Sequence, residues 1–147
     1  MTKTKLRVLC FGEAMVELSA LNLKKKIAQI TFAGDTLNTA VYLKRLLGFK
    51  ADVDYLTVIG KDYISDEMEK YIRSEGVGTG CVRRSEVRSV GLYSVNTDAS
   101  GERNFLYWRD QSAARLLFAS TEDFAKLLNY DLIYFTGISL AILPDEV

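Results

Sequence analysis

The 147-residue sequence contains no histidine. That absence excludes His-based catalytic triads, His-ligated metal centres and imidazole general bases, so proton transfer would fall to Asp, Glu, Lys, Tyr or Cys. Cysteine is scarce: Cys10 and Cys81 have no zinc-type spacing and make no disulfide framework. Cys10 falls inside the apolar run Val8-Leu9-Cys10-Phe11 and reads as a small buried hydrophobe, whereas Cys81 sits near glycines and arginines and reads as a loop residue. Neither sign of charge is in excess, since 19 Lys and Arg balance 19 Asp and Glu. A nucleic acid or an anionic membrane surface would call for a basic surplus, so neither is expected as a partner. The short basic stretches Lys24-Lys25-Lys26 and Arg83-Arg84 read as solvated loops. No apolar run is long enough to span a bilayer and no secretory signal is evident, so a cytoplasmic location is expected. Proline occurs once, as Pro144 near the end.

What is present is an alternation of strand and helix signals. Leu6 to Phe11 is a short apolar run stopped by Gly12 and reads as a buried parallel strand. Thr31 to Asp35 reads as a turn into a helix from Thr36 to Leu47, capped by Asp35 and ended by Gly48. A second strand is expected from Val53 to Ile59 and a second helix from Ser65 to Glu75. The glycine-rich Gly76-Val77-Gly78-Thr79-Gly80 follows that helix and opens no other, so it reads as a flexible turn. Gly91 to Asn96 and Asn104 to Trp108 are aromatic and β-branched runs around a polar, glycine-containing turn. They make a β-hairpin; the runs are not cleanly amphipathic, which suits a hairpin covered on both faces. A helix from Thr121 to Leu128, a third parallel strand from Asp131 to Gly137 and a helix start at Pro144 complete the pattern, which belongs to the α/β class.

Three blocks carry chemistry. The first joins Gly12-Glu13-Ala14-Met15-Val16-Glu17-Leu18 to Ala33-Gly34-Asp35-Thr36-Leu37-Asn38-Thr39-Ala40. A glycine there lets the backbone come close to a ligand, the helix start offers free N–H groups, and Asp35 and Asn38 can bond sugar hydroxyls. A plain turn with an Asp cap accounts for the same residues. The second block is Gly91-Leu92-Tyr93 with Gly101-Glu102-Arg103-Asn104-Phe105-Leu106-Tyr107-Trp108-Arg109. Arg109 has the fork that grips a carboxylate, and Tyr93 and Tyr107 offer hydroxyls and flat surface. Cross-strand packing with a surface arginine stands level with that reading on residue types alone. Pleat alternation turns Trp108 away from Tyr107 and Arg109. The third block, Thr136-Gly137-Ile138-Ser139-Leu140-Ala141, follows the C-terminal end of a strand, where ligands of open α/β sheets gather; Ile138 reads either as pocket lining or as core. Glu13 and Glu17 read as solvated or hydrogen-bonded loop carboxylates.

With their spacing, these blocks resemble the PfkB family of ribokinase-like carbohydrate kinases, and most of all its 2-keto-3-deoxygluconate kinases. The resemblance implies the N-terminal part of a three-layer α/β sandwich with a small β-sheet lid, its strands at about 13–33 and 89–109. It implies sugar-acid binding by Gly34, Asp35, Thr36, Asn38, Tyr93, Tyr107, Arg109 and Ile138, and assembly of two chains through the lid. ATP and Mg²⁺ are the family's cofactors, and the reaction is phosphorylation of 2-keto-3-deoxygluconate at O6. The family's Gly-Ala-Gly-Asp-like motif, whose Asp is the base and whose glycines hold the phosphate, does not occur in these 147 residues. Residues 1–147 therefore read as a partial domain, with the catalytic and nucleotide-binding half absent and no activity or ATP binding of their own expected. Two other readings remain: a kinase half for another sugar such as fructose, or a non-catalytic product that binds sugar or dimerises through its lid. A dinucleotide-binding oxidoreductase shares the α/β pattern but lacks its glycine fingerprint.

Overall fold

A computed structural model describes residues 5–145. In chain order the described elements are β1 (Leu6–Phe11), β2 (Met15–Asn22), β3 (Ile27–Ala33), α1 (Asp35–Leu47), β4 (Ala51–Leu56), β5 (Val58–Ile59), α2 (Tyr63–Ser74), β6 (Arg83–Arg84), β7 (Gly91–Thr97), β8 (Arg103–Trp108), α3 (Thr121–Leu127), β9 (Leu132–Tyr134) and α4 (Gly137–Ala141). Short 3₁₀ turns lie at Gly48–Lys50 and Ala113–Leu116.

The central sheet is parallel, in the order β4-β1-β9. Strand β1 is sandwiched on both faces, and its period of two sorts the core. Val8 and Cys10 join Val53 and Tyr55 under Leu37, Ala40 and Val41 of α1 and Met68 and Ile72 of α2. Leu9 and Phe11 point the other way, onto Leu56, Val58, Ala113, Leu117 and Phe118. This is the α/β layering expected from the alternating signals and the three-layer sandwich that the resemblance implies, and each large apolar side chain buried in it contributes about 1.5–3 kcal/mol. Cys10 lies fully inside, and burial pushes its thiol up to about 12. Helix α2 begins two residues before the Ser65 start expected from the sequence, because the Asp62 side chain accepts the Ser65 N–H at 3.0 Å.

The second sheet is a four-stranded lid, in the order β3-β2-β7-β8. β2 pairs antiparallel with β3 and parallel with β7; β7 and β8 form the expected hairpin, with Tyr93 opposite Tyr107 and Val95 opposite Phe105. Several expectations need correction. Thr31–Ala33 is the end of β3 rather than a turn. Every residue of β8 is exposed, so the hairpin is covered on one face at most. The Gly76–Gly80 segment is pinned to the central sheet, since Gly78 N–H donates to Val53 O at 2.8 Å and Tyr55 N–H to Gly78 O at 2.9 Å. Its glycine is needed because a Cβ there would fall 1.7 Å from Asp54 Oδ1. Arg83 and Arg84 are half-buried rather than solvated: Arg83 grips the fully buried Asp123 at 2.8 Å, and Arg84 pairs with Asp66 and Glu69. Cys81 lies in a turn, as expected, and is buried there against the Tyr130 hydroxyl at 3.2 Å. The third strand of the central sheet ends at Tyr134, and Gly137 opens α4 instead of closing the strand. Pro144 and Asp145 carry no helix, and the remainder of the helix start expected there lies outside the described residues.

Candidate functional site

The site forms where the C-terminal end of the central sheet meets the lid. Gly34 caps α1, and the Asn38 N–H donates to its carbonyl at 2.8 Å. Its backbone is extended (φ 167°), so any residue could adopt it. Glycine is required there for space: a Cβ would lie 2.3 Å from the Glu13 carbonyl oxygen. The close approach expected for a ligand is thus made, first of all, by the loop between β1 and β2. Asp35 is the first residue of α1 and not its cap. Its Oδ1 accepts the Thr36 N–H at 2.8 Å, and its Oδ2 accepts the Thr136 hydroxyl. Thr136 caps α4 with the same hydroxyl, which accepts the Ser139 N–H at 3.4 Å. The starts of α1 and α4 are thereby tied together, and Ile138 is held at the rim, half exposed.

The lid supplies the opposite wall. Tyr93 and Tyr107 lie side by side across the hairpin with ring centroids 5.7 Å apart, and Phe105 stacks on Tyr107 at 6.1 Å. The Tyr93 hydroxyl donates to Glu17; burial, and next that carboxylate, hold its pKa well above the ordinary phenol value. Arg109 follows β8 and lies over the Tyr107 ring, 5.8 Å from its centroid. One of its terminal nitrogens, Nη2, forms an ion pair with Glu13 Oε2.

These walls enclose a cavity of about 260 Å³. Gly34, Asp35, Asn38 and Ile138 line it from the body, and Tyr93, Tyr107 and Arg109 from the lid. Seven of the eight residues singled out from the sequence therefore converge on one hollow. Thr36 is the exception. Its side chain is fully buried in the core, where its hydroxyl pairs with that of Tyr55 at 2.9 Å, because the second residue of α1 faces the sheet and not the cavity. Met15 and Phe105 complete the lining and escaped the sequence reading. Phe105 was accessible to it, since the alternation that puts Tyr107 and Arg109 on one face of β8 puts Phe105 there too. Trp108 points away and lines a neighbouring groove.

Glu13 corrects the reading most. Of the two readings open to it, a solvated or a bonded loop carboxylate, the first is excluded: Glu13 lies in the loop after β1 but only 4% of its surface is exposed, and Arg109 pairs with it. Burial raises its pKa above the ordinary carboxylate value, against the opposing pull of Ser112 and Arg109 beside it. Glu17 stands behind Tyr93 and does not line the cavity. Chemically, the hollow offers one cation, two phenol hydroxyls, an amide and a carboxylate around a partly apolar floor. That set suits a small polyhydroxylated anion. Among the described residues no group of three or more acidic or thiol side chains could hold a metal ion, and no helix is long and apolar enough to cross a membrane.

The sequence profile of the pfkB family of carbohydrate kinases matches residues 5–147. The 2-dehydro-3-deoxygluconokinase of Haemophilus influenzae is 43% identical over 147 aligned residues, a match covering 95% of this chain and 45% of that protein. Among solved structures, the 2-dehydro-3-deoxygluconokinase of Thermotoga maritima superposes with a TM-score of 0.82 at 25% identity, over 95% of this chain and 44% of that one. A fructokinase from Xylella fastidiosa with bound ATP superposes at 0.73 and 27% identity, over 88% and 38%. The chain thus spans less than half the length of these relatives.

Proposed function

The chain belongs to the pfkB family of carbohydrate kinases, and from that premise we propose that it supplies the sugar-binding half of an ATP-dependent kinase for 2-keto-3-deoxygluconate. One observation carries the reading: Arg109, Tyr93 and Tyr107 of the lid face Gly34, Asp35 and Asn38 of the body across a single cavity of about 260 Å³. This falls just under the roughly 300–1,000 Å³ of drug-sized sites and fits one monosaccharide-sized ligand. In this pose the Arg109 guanidinium takes the C1 carboxylate, the tyrosine hydroxyls and Asn38 take the sugar hydroxyls, and Ile138 packs against the carbon chain. Gly34 opens the helix start beneath the ligand, and Asp35 keeps α1 and α4 in register through Thr136. Thr36 contributes by anchoring that helix start to Tyr55 and not by touching sugar.

ATP and Mg²⁺ are what the family uses to supply the phosphoryl group. The residues of this cavity do not fit either one: among the described residues its lining holds one cation, Arg109, which is already paired with Glu13, and no carboxylate cluster for a metal. No step of the transfer is assigned to this chain. A fructokinase reading is favoured by the Xylella likeness, and the discriminating residue is Arg109, which a neutral sugar does not need. Titration calorimetry with 2-keto-3-deoxygluconate and with fructose tests the proposal. Preferential binding of the acid supports it, and equal or stronger binding of fructose defeats it. Assembly through the lid belongs to the same proposal. The exposed Leu106 and Trp108 on β8 are apolar surface that a second copy would cover, and a monomer by sedimentation would remove that part.

A further inference from the structure

We infer that Glu13 is a positioning residue that holds the Arg109 guanidinium at the cavity wall, so that the site's preference for an anionic over a neutral sugar depends on a side chain that does not line the cavity. The inference rests on the sugar-acid reading for the ligand class and on geometry alone for the pairing.

The pairing is built in from several elements. Glu13 lies in the loop between β1 and β2 and is almost wholly enclosed, at 4% exposure. Its Oε2 contacts Arg109 Nη2, whose side chain is 20% exposed. Two glycines make the space. At Gly34 a Cβ would strike the Glu13 carbonyl oxygen at 2.3 Å, and at Gly91 a Cβ would lie 2.7 Å from Glu13 Oε1 and 3.1 Å from Arg109 Cβ. Both Glu13 oxygens, Arg109 Nη2 and Ser112 Oγ are buried without an aligned hydrogen-bond partner, so the cluster keeps unspent capacity beside the cavity. Burying a carboxylate that does not itself touch the ligand is unfavourable unless a cation sits against it.

The second consideration is what Arg109 could do otherwise. It lines both the cavity and the neighbouring groove bounded by Val87, Trp108 and Ser112, so two directions are open to a long, flexible side chain. Glu13 on one side and the Tyr107 ring on the other leave the guanidinium little choice. Without the carboxylate, a half-buried unpaired cation gains by turning outward into the groove and water, and the fork no longer meets the ligand. Arg115 also lies near enough for its charge to act on Glu13, and the phenol of Tyr55 feels the Glu13 charge in turn; neither enters the cavity.

Glu13→Gln keeps the shape and removes the charge. In that variant the rate of phenylglyoxal modification at Arg109, mapped by peptide mass, should rise at least fivefold, with no ligand present and the thermal melt retained. The ratio of 2-keto-3-deoxygluconate to fructose affinity should fall about tenfold, with fructose binding unchanged. An Arg109 that stays as protected in Glu13→Gln as in the parent overturns the inference, whatever the ligand data. So does a variant that binds the acid more tightly, since Glu13 would then be a competitor of the ligand and not a support. A parent that prefers fructose defeats the sugar-acid reading instead, and the modification rate still decides on Glu13. If Glu13→Gln does not fold, Glu13→Asp decides: it keeps the charge but draws the carboxylate back by one methylene from Arg109 Nη2, so modification at Arg109 should again rise, and an Arg109 as protected as in the parent overturns the inference.

Discussion

Arg109→Ala is the perturbation on which the sugar-acid assignment turns. Among the described residues Arg109 is the only cation lining the cavity. A hydrogen bond to a charged group contributes about 1.5–3 kcal/mol. Glu13 already draws on Nη2, so the carboxylate of a ligand meets a partly satisfied fork, and the lower part of that range, about 1.5–2 kcal/mol, applies here. In affinity this is a loss of roughly 10- to 30-fold for 2-keto-3-deoxygluconate. Fructose has no carboxylate and in the proposed pose depends on Tyr93, Tyr107 and Asn38 instead, so its affinity should change by less than about threefold. The substitution leaves Glu13 buried without its cation. Its pKa is already raised by burial, so it answers by binding a proton and not by unfolding the lid. Calorimetric titrations of parent and variant with both sugars give the ratio directly, and circular-dichroism melts establish that the variant is folded. Equal losses for acid and neutral sugar would refute the reasoning, because they would mean that Arg109 shapes the cavity without reading the carboxylate.

Asp123→Ala should destabilise the body by about 3 kcal/mol in urea, because it strips a fully buried carboxylate from Arg83 and from the Phe118 N–H, which it accepts at 3.0 Å. The figure sits at the low end for a broken buried pair because Arg83 is itself 24% exposed; a loss under about 1 kcal/mol would contradict this reading of the pair. Stability should also fall on the alkaline side. The Cys10 thiol moves from an ordinary 9.0 to about 12 in the fold, so between those values the unfolded chain holds fewer protons than the folded one, and stability drops as pH rises. Tyr55, Tyr93 and Tyr130 are raised in the same direction and steepen the fall above the ordinary phenol range. Each group contributes a slope of up to ~1.4 kcal/mol per pH unit in its window. Melting temperatures that hold level from pH 8 to pH 11, or a Cys10→Ala variant with no gain in alkaline stability over the parent, would count against it.

The sequence was most readable where local and long-range demands agree. From Val8 to Phe11 β1 is apolar without a break because both of its faces are covered there, and Gly48 ends α1 at a φ of 54° that favours glycine. The hairpin declared itself through aromatic runs and a polar turn. β3 did not, because its first residues are exposed on a lid strand and no hydrophobic alternation marks it. The strong local signals there are Gly34 and Asp35, which mark the helix start. Arg83 and Arg84 misled for the opposite reason. Two adjacent arginines look solvated in a list of residues, and the acids that bury them, Asp66, Glu69 and Asp123, come from α2 and α3. The same logic explains the glycine-rich segment, whose need for Gly78 comes from Asp54 on a neighbouring strand.

The candidate site divides along the same line. Residues that touch the cavity sit in recognisable blocks, whereas Glu13 is defined only by what surrounds it in space. A side chain that works by holding another leaves its trace in the small residues that make room for it. Gly91 opens a strand, where glycine weakens pairing and usually marks a close approach. The approach here is to Glu13 Oε1, Arg109 Cβ and Met15 Cγ, at 2.7, 3.1 and 3.2 Å from an added Cβ. Gly91→Ala changes no charge and removes no contact to ligand, yet the overpacking of about 1–3 kcal/mol must be relieved by moving the pair or the strand. Acid affinity should therefore fall by roughly fivefold or more, with a melt lowered by only a few degrees. Unchanged acid binding in Gly91→Ala would mean that the space around the pair is loose, and that the two glycines are there for some reason other than Glu13.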